Sequence, residues 1–373
     1  MVEKKKIQEI ENILQSADVR LDGARPWDIK LHDERALASA LGRGTLGIGE
    51  SYMDRWWDCD QLDVMIDKVH RSDYRNSLDS KFNLLSEYIK SRLLNLQSTQ
   101  RAFQVGEHHY DLGNDLYEAM LDPRMVYTCG YWHQADNLDA AQTNKLDLVC
   151  RKINLQPKQR VLDIGCGWGS FAEFAAREYG AEIIGVTVSK EQAELARRRC
   201  EGLPVEIRLQ DYREVNEKFD HIVSLGMFEH VGNKNYQTYF NKAHDCLKEE
   251  GIFLLHTIGH MFSVKNGDPW INRYIFPNSM IPSITHIGRA IEKLFVMEDW
   301  HNFGADYDRT LMAWNENFEE CWPGLREKYG DRFYRMWRYY LLVCAGTFRS
   351  RYVQLWQIVL SKNGVSQGYA TVR

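Results

Sequence analysis

Long apolar runs are missing from this sequence: nowhere do about 18 apolar residues follow one another, the length a bilayer-crossing helix needs. The opening Met1-Val2-Glu3-Lys4-Lys5-Lys6 leads into an amphipathic helical pattern, so neither a secretory leader nor a membrane span is expected. Paired cysteines are missing too. The eight cysteines (Cys59, Cys129, Cys150, Cys166, Cys200, Cys246, Cys321, Cys344) are scattered, with no C-x-x-C and no histidine at zinc-like spacing. That excludes a disulfide framework and a zinc module, and predicts reduced thiols in a cytoplasmic protein with no metal. Neither sign of charge dominates: 47 Lys and Arg face 52 Asp and Glu, a net charge of -5, so nucleic acid is not the expected partner. Internal repeats and low-complexity tracts are absent as well.

What is present is length and aromatic content. A chain of 373 residues exceeds what one hydrophobic core usually organises, which favours a large domain with a smaller companion. Trp, Tyr and Phe reach 12%, more than core packing alone requires. Residues 1–75 read as a small α-rich N-terminal module with a Gly-rich turn over 41–50. That run lacks the Lys-Ser/Thr of a phosphate loop, so it is expected to be a turn between packed elements. Residues 76–99 read as linker and amphipathic helix. The linker signal centres on 71–80, and helical spacing over 82–96 with Lys90, Arg92 and Arg101 suits an ordinary solvated face or an anionic surface. The remainder, 100–373, reads as a catalytic domain.

After Lys158 short apolar runs alternate with helical patterns. Residues 160–164, 183–187, 205–209, 221–225 and 252–256 are expected to be buried strands of a parallel sheet, with helices over 171–179 and 192–199 between them. This is the pattern of an α/β doubly wound domain. The first strand runs into Asp163-Ile164-Gly165-Cys166-Gly167-Trp168-Gly169 and then directly into a helix. Glycines there allow a tight turn and close approach of a ligand at the carboxyl edge of the sheet. The spacing is G-x-G-x-G, not G-x-G-x-x-G, and the second strand ends in Thr187-Val188-Ser189, with Gln192 following, without the acid a dinucleotide ribose wants. The loop is therefore similar to motif I of class I methyltransferases dependent on S-adenosylmethionine (SAM), a Rossmann-like fold whose ligand carries a sulfonium and an ammonium group. An acid at the start of the loop suits that ammonium.

Further segments resemble the cyclopropane-fatty-acyl-phospholipid synthase and mycolic acid cyclopropane synthase family: His109-Tyr110-Asp111-Leu112-Gly113-Asn114-Asp115, Tyr127-Thr128-Cys129-Gly130-Tyr131-Trp132, Gly226-Met227-Phe228-Glu229-His230-Val231-Gly232, His256-Thr257-Ile258-Gly259, Tyr274-Ile275-Phe276-Pro277 and Asn302-Phe303-Gly304-Ala305-Asp306-Tyr307. They cover the chain from about residue 100 onward, and the N-terminal module resembles that of the bacterial phospholipid enzymes. Thr128 stands where members commonly have Ser, and Gly130 where many have Ala. The resemblance implies a SAM site formed by Tyr127, Thr128, Asp163, Gly165, Cys166, Gly167, Gly169, Thr187, Gln192, Tyr212 and Arg213. It also implies a bicarbonate held by Cys129, Glu229, His256 and Tyr307, with the backbone at Ile258 contributing. Taken singly, each of these four side chains reads as an ordinary structural residue; their family order lifts them.

The implied reaction adds a methylene to the cis double bond of an unsaturated phospholipid acyl chain. Such an alkene is a weak nucleophile and its methylated cation is quenched by water, so a dry pocket with aromatic faces and a base for one proton is required. Bicarbonate is the implied base; a direct side-chain base, Glu229, stays open. The rivals are a methyltransferase that stops after methyl transfer and a non-catalytic lipid-binding scaffold. The resemblance further implies a homodimer that visits the phospholipid bilayer peripherally and reversibly, at the inner leaflet. A helix over 334–351 interleaves Arg335, Arg338, Arg349 and Arg351 with aromatics; its apolar middle is expected to be buried in the catalytic domain, and its arginines are the candidates for head-group contact.

Overall fold

The computed structural model describes residues 2–72, 113–264 and 266–373. The helix expected over 82–96, the cations Lys90, Arg92 and Arg101, most of the 71–80 linker, the boundaries at 75 and 99, and His109 to Leu112 lie outside the described residues. The chain separates into two compact units, Met1–Leu94 with Lys265–Pro277 and Tyr307–Val353, and Asn95–Val264 with Asn278–Asp306 and Gln354–Arg373.

In the first unit, α1 (Val2–Ser16), α2 (Arg35–Met53) and α3 (Leu62–Arg71) are joined by the short antiparallel pair β1 (Lys30–Leu31) and β2 (Trp57–Asp58). The glycine run over 41–50 is helical rather than a turn. Only Gly44 departs, with φ 56° and ψ -136°, a conformation that costs a side-chain residue but not glycine, and it kinks α2 into two segments. A Cβ at Gly47 would overlap the Ser39 carbonyl and one at Gly49 the Trp270 indole, so these two serve close packing, whereas Gly42 faces open space. The helix expected over 334–351 is part of a longer helical stretch, Ala305–Arg349, interrupted at Gly330 (φ 77°). Its arginines are occupied within the unit: Arg335 donates to the Tyr52 carbonyl at 2.6 Å and to Asp58 at 2.7 Å. Arg338 donates to the Tyr52 hydroxyl at 2.7 Å, and Arg349 pairs with Asp63 at 2.6 Å and Asp308 at 2.8 Å.

The second unit contains α4 (Asn114–Met120), α5 (Leu138–Lys152), β3 (Arg160–Ile164), α6 (Ser170–Tyr179), β4 (Glu182–Thr187), α7 (Lys190–Arg199), β5 (Val205–Leu209), β6 (Phe219–Leu225), α8 (Tyr236–Cys246), β7 (Leu247–His260), α9 (Ile284–Ile291), β8 (Val296–Asn302) and β9 (Val353–Ser361). The sheet order is β5-β4-β3-β6-β7-β9-β8. Strands β3 to β7 pair in parallel, as expected, while β8 and β9 are antiparallel to each other, so the sheet is mixed. Alternate residues feed opposite layers: Val161, Ile183 and Val223 pack into one core, and Leu162, Ile184 and Ile222 into the other. Both faces are therefore covered over β3, β4, β6 and β7, which is why those strands read as apolar runs; the edge strand β5, expected to be buried, buries only Ile207 and leaves Glu206 and Leu209 exposed. Each such side chain contributes about 1.5–3 kcal/mol by leaving water.

Candidate active site

From β3 the chain builds β4 and β5 to one side, then crosses to β6 and β7 on the other. The carboxyl ends of β3 and β6 thus diverge at a topological switch point, where open α/β sheets bind ligands. The loop there has Gly165 at φ 81°, Gly167 at φ 53° and Gly169 at φ 82°. It is pinned to the next strand by the amides of Gly165 and Cys166, which donate to the Val186 carbonyl at 3.0 and 3.1 Å. A Cβ at Gly165 would come within 2.6 Å of Met227, and one at Gly169 within 3.0 Å of Ala196. Gly167 faces open space. Packing accounts for the outer two glycines; the middle one leaves backbone uncovered for close approach of a ligand.

Asp163, at the root of this loop, is buried and its Oδ2 has no hydrogen-bond partner. Burial pushes its carboxyl up to about 7, against the pull of the Lys145 ammonium. Lys145 is itself fully buried on α5; burial lowers it to about 8, opposed by Asp122, Cys129 and Asp163, and its Nζ donates to Thr128 Oγ1 at 2.9 Å. A buried carboxylate with a spare lone pair is a fitting neighbour for a cationic ligand group. Beyond β4, Thr187 Oγ1 and Gln192 Oε1 lie 3.0 Å apart, and the Ser189 hydroxyl caps α7. Arg213 is held by Asp211 through bonds of 2.8 and 2.5 Å, beside Tyr212, whose ring lies 5.4 Å from that of Tyr239. Tyr127 packs edge-on to Tyr117 at 5.2 Å.

The second group of side chains occupies the ends of β6 and β7. Leu225 pairs with His256 in register, and the Gly226 amide donates to the His256 carbonyl at 2.9 Å. The short helical turn Phe228–His230 carries Glu229 back toward β7, where its Oε1 accepts from the Ile258 amide at 2.7 Å. Burial pushes the Glu229 carboxyl up; the Ile258 amide and the Thr257 hydroxyl pull the other way, and Oε2 has no donor in hydrogen-bonding geometry. His256 is 1% exposed. Burial, reinforced by the Lys145 and Lys152 ammonium groups, holds it well below the usual histidine range, so the ring is neutral. Its Nδ1 lies 3.3 Å from Gln357 Nε2, and its Nε2 is buried without a partner. The segment bearing Tyr127 to Gly130 is seated against this edge, because a Cβ at Gly226 would meet Thr128 Cγ2 at 2.5 Å. Cys129 is fully buried, with its Sγ 3.2 Å from the Gly130 carbonyl oxygen. At Gly130 a Cβ would stand 3.0 Å from that of Ala141, closer than ordinary van der Waals contact.

Glu229, His256, Ile258 and the Cys129 segment are thus gathered at one sheet edge with the glycine loop. Tyr307 belongs to the first unit, where its ring lies 4.4 Å from Phe348 and 6.0 Å from Trp314. Lys145, Thr257 and Gln357 complete the group at the sheet edge and were not anticipated. Lys145 had a signal: it falls on the stripe Leu138, Ala141, Leu148 that α5 buries, where an unpaired cation is costly. Among the described residues no cluster of three or more candidate metal ligands occurs.

Comparison with known proteins converges on one family. The family model described as mycolic acid cyclopropane synthetase matches residues 97–358. The chain is 53% identical over 361 residues to the cyclopropane-fatty-acyl-phospholipid synthase of Escherichia coli K12, covering 97% of this chain and 94% of that protein. Among solved structures, the cyclopropane synthase MmaA2 of Mycobacterium tuberculosis superposes with TM-score 0.65 at 31% identity, covering 70% of this chain and 98% of that one. The mycolic acid cyclopropane synthase CmaA1, complexed with SAH and CTAB, gives TM-score 0.65 at 29% identity over the same shares.

Proposed function

The chain belongs to the mycolic acid cyclopropane synthetase family, and on that basis we propose that it transfers a methylene from SAM to the cis double bond of an unsaturated phospholipid acyl chain, closing a cyclopropane ring. One observation carries the reading: the open backbone of Gly167 shares a sheet edge with Glu229 and His256, whose Oε2 and Nε2 are buried without partners. Atoms left in that condition cost about 1–3 kcal/mol each unless a ligand satisfies them.

SAM, as co-substrate, supplies the methyl group. Asp163 and the loop Gly165, Cys166, Gly167 and Gly169 would hold it, with Tyr127, Thr128, Thr187, Gln192, Tyr212 and Arg213 at the margins. Transfer to the alkene leaves a carbocation on the acyl chain, so the chain's task is alignment and exclusion of water. Bicarbonate, held at this edge, would supply a base for the proton lost from the new carbon. The donor set fits an anion: neutral His256 can donate through Nε2, two buried ammonium groups raise the potential at that ring, and Glu229 can accept a hydroxyl proton. Cys129 and Tyr307 join them through the family resemblance. The Ile258 amide, expected to meet the anion, donates to Glu229, and so fixes the carboxylate. A second reading makes Glu229 itself the base, favoured by the burial that raises its carboxyl.

The substrate brings the enzyme to a phospholipid surface as a peripheral, reversible visitor at the cytoplasmic leaflet; among the described residues no helix is long and apolar enough to cross a membrane. The resemblance also implies a homodimer. Mass spectrometry of unsaturated phospholipid vesicles incubated with enzyme and SAM tests the function. A product heavier by one methylene with the alkene consumed is expected. Methyl branching with a retained alkene or an added oxygen would identify a transferase that stops early, and absence of S-adenosylhomocysteine would identify a lipid-binding scaffold.

A further inference from the structure

Resting on that reading of His256, we propose that Gln357 is a positioning residue which locks His256 in the tautomer protonated at Nε2, so that the ring presents a donor to the anion. Gln357 lies on β9, between the buried apolar pairs Leu355-Trp356 and Ile358-Val359, and is itself fully buried. Its amide nitrogen stands 3.3 Å from His256 Nδ1. An amide nitrogen only donates, so the ring nitrogen opposite must accept, and a neutral imidazole with an unprotonated Nδ1 carries its proton on Nε2.

Two further observations favour orientation over packing as the reason for the glutamine. Its own Oε1 is buried without a partner, a standing cost that an aliphatic residue of similar size would avoid. And the ring has no other means of choosing: its second nitrogen also lacks a partner, while the neighbouring Phe303 ring, 5.9 Å away, offers no hydrogen-bonding atom. Burial and the two lysines keep the ring from settling the matter by taking a second proton. With the opposite tautomer, Nε2 would turn a lone pair toward an anion and repel it.

The test uses the full chain with 15N-labelled histidine, in wild-type, Gln357→Leu and Gln357→Glu forms, with His256→Ala to assign the signal. Two-bond proton–nitrogen spectra of wild type are expected to show Nε2 protonated and Nδ1 bare. Gln357→Glu, whose carboxylate can only accept, should move the proton to Nδ1, and Gln357→Leu should leave a mixture. Turnover on vesicles should fall about 10- to 100-fold in both variants, as when a histidine's orienting partner is removed, with S-adenosylhomocysteine affinity by calorimetry unchanged. A wild-type ring protonated at Nδ1, or a Gln357→Glu ring unmoved, overturns the proposal. A moved proton with unchanged turnover overturns His256 as the anion's donor, and the proposal with it.

Discussion

Asp163→Asn gives the sharpest test of the buried carboxylate beneath the glycine loop. In the unfolded chain this group loses its proton near 3.8, but in the folded protein only at about 7. Between those values the folded state holds the extra proton, so stability falls as pH rises through that window. The full rise corresponds to about 4 kcal/mol above pH 7, reduced by whatever attraction to Lys145 the variant gives up. The ligand reverses the balance, because its ammonium favours the ionised carboxylate. Wild-type affinity for S-adenosylhomocysteine should therefore strengthen as pH rises from about 6 to 8, by up to tenfold per pH unit below the carboxyl's own value. The asparagine variant should bind more weakly at about pH 8 and lose that slope, while melting higher than wild type in the unliganded state. The ligand's own amine titrates in both proteins, so the difference between their calorimetric profiles isolates Asp163. Parallel profiles, or a variant that melts lower at pH 8 than at pH 5 relative to wild type, would refute the reasoning.

Glu229→Gln and His256→Ala should each retain S-adenosylhomocysteine binding and lose about 10²-fold or more in ring formation, read by product mass spectrometry; unchanged turnover would remove the assignment. Gly167→Ala meets no protein atom within 4 Å but keeps a φ of 53°, so it should cost about 1 kcal/mol in unfolding free energy while weakening cofactor binding severalfold. Gly49→Ala, driven into the Trp270 indole, should destabilise by about 1–3 kcal/mol in denaturant titrations. His221 and His230, each lowered to about 4 by burial, and His256 stay neutral in the fold but protonate in the unfolded chain below 6.5. Urea midpoints should accordingly drop as pH falls from about 6.5 toward 4, by up to about 1.4 kcal/mol per pH unit for each histidine, offset in part by Asp163 and Glu229.

Strands β3, β4, β6 and β7 were readable because two covered faces impose apolar runs, and the edge strand β5 was readable from its alternation of Val205, Ile207 and Leu209 with Glu206 and Arg208; β3 and β5 have the expected ends. Strand β8 was missed because its residues are partly exposed and carry Glu298, Asp299 and His301, which blur any alternation. Strand β9 was overlooked beside the aromatic helix that precedes it. The helical glycines of α2 misled for another reason: glycine marks a turn by its freedom, but here Gly47 and Gly49 are small so that neighbours can approach. At the candidate site, the loop and the Glu229 and His256 pair stand in motifs, whereas Lys145 and Gln357 act across distant elements and become visible only when β9 and α5 reach the sheet edge.

The first unit draws on three stretches of chain, the last closing at Val353. Its opening segment, ending at Leu94, must wait for about 260 further residues before its core can close, which at ribosomal speeds of about 5–20 residues per second leaves it incomplete for roughly 13–50 s. During synthesis the α/β unit has most of its strands in hand while the helices of the other still lack partners. Nascent chains stalled before residue 307 should therefore display those N-terminal helices to chaperones and proteases.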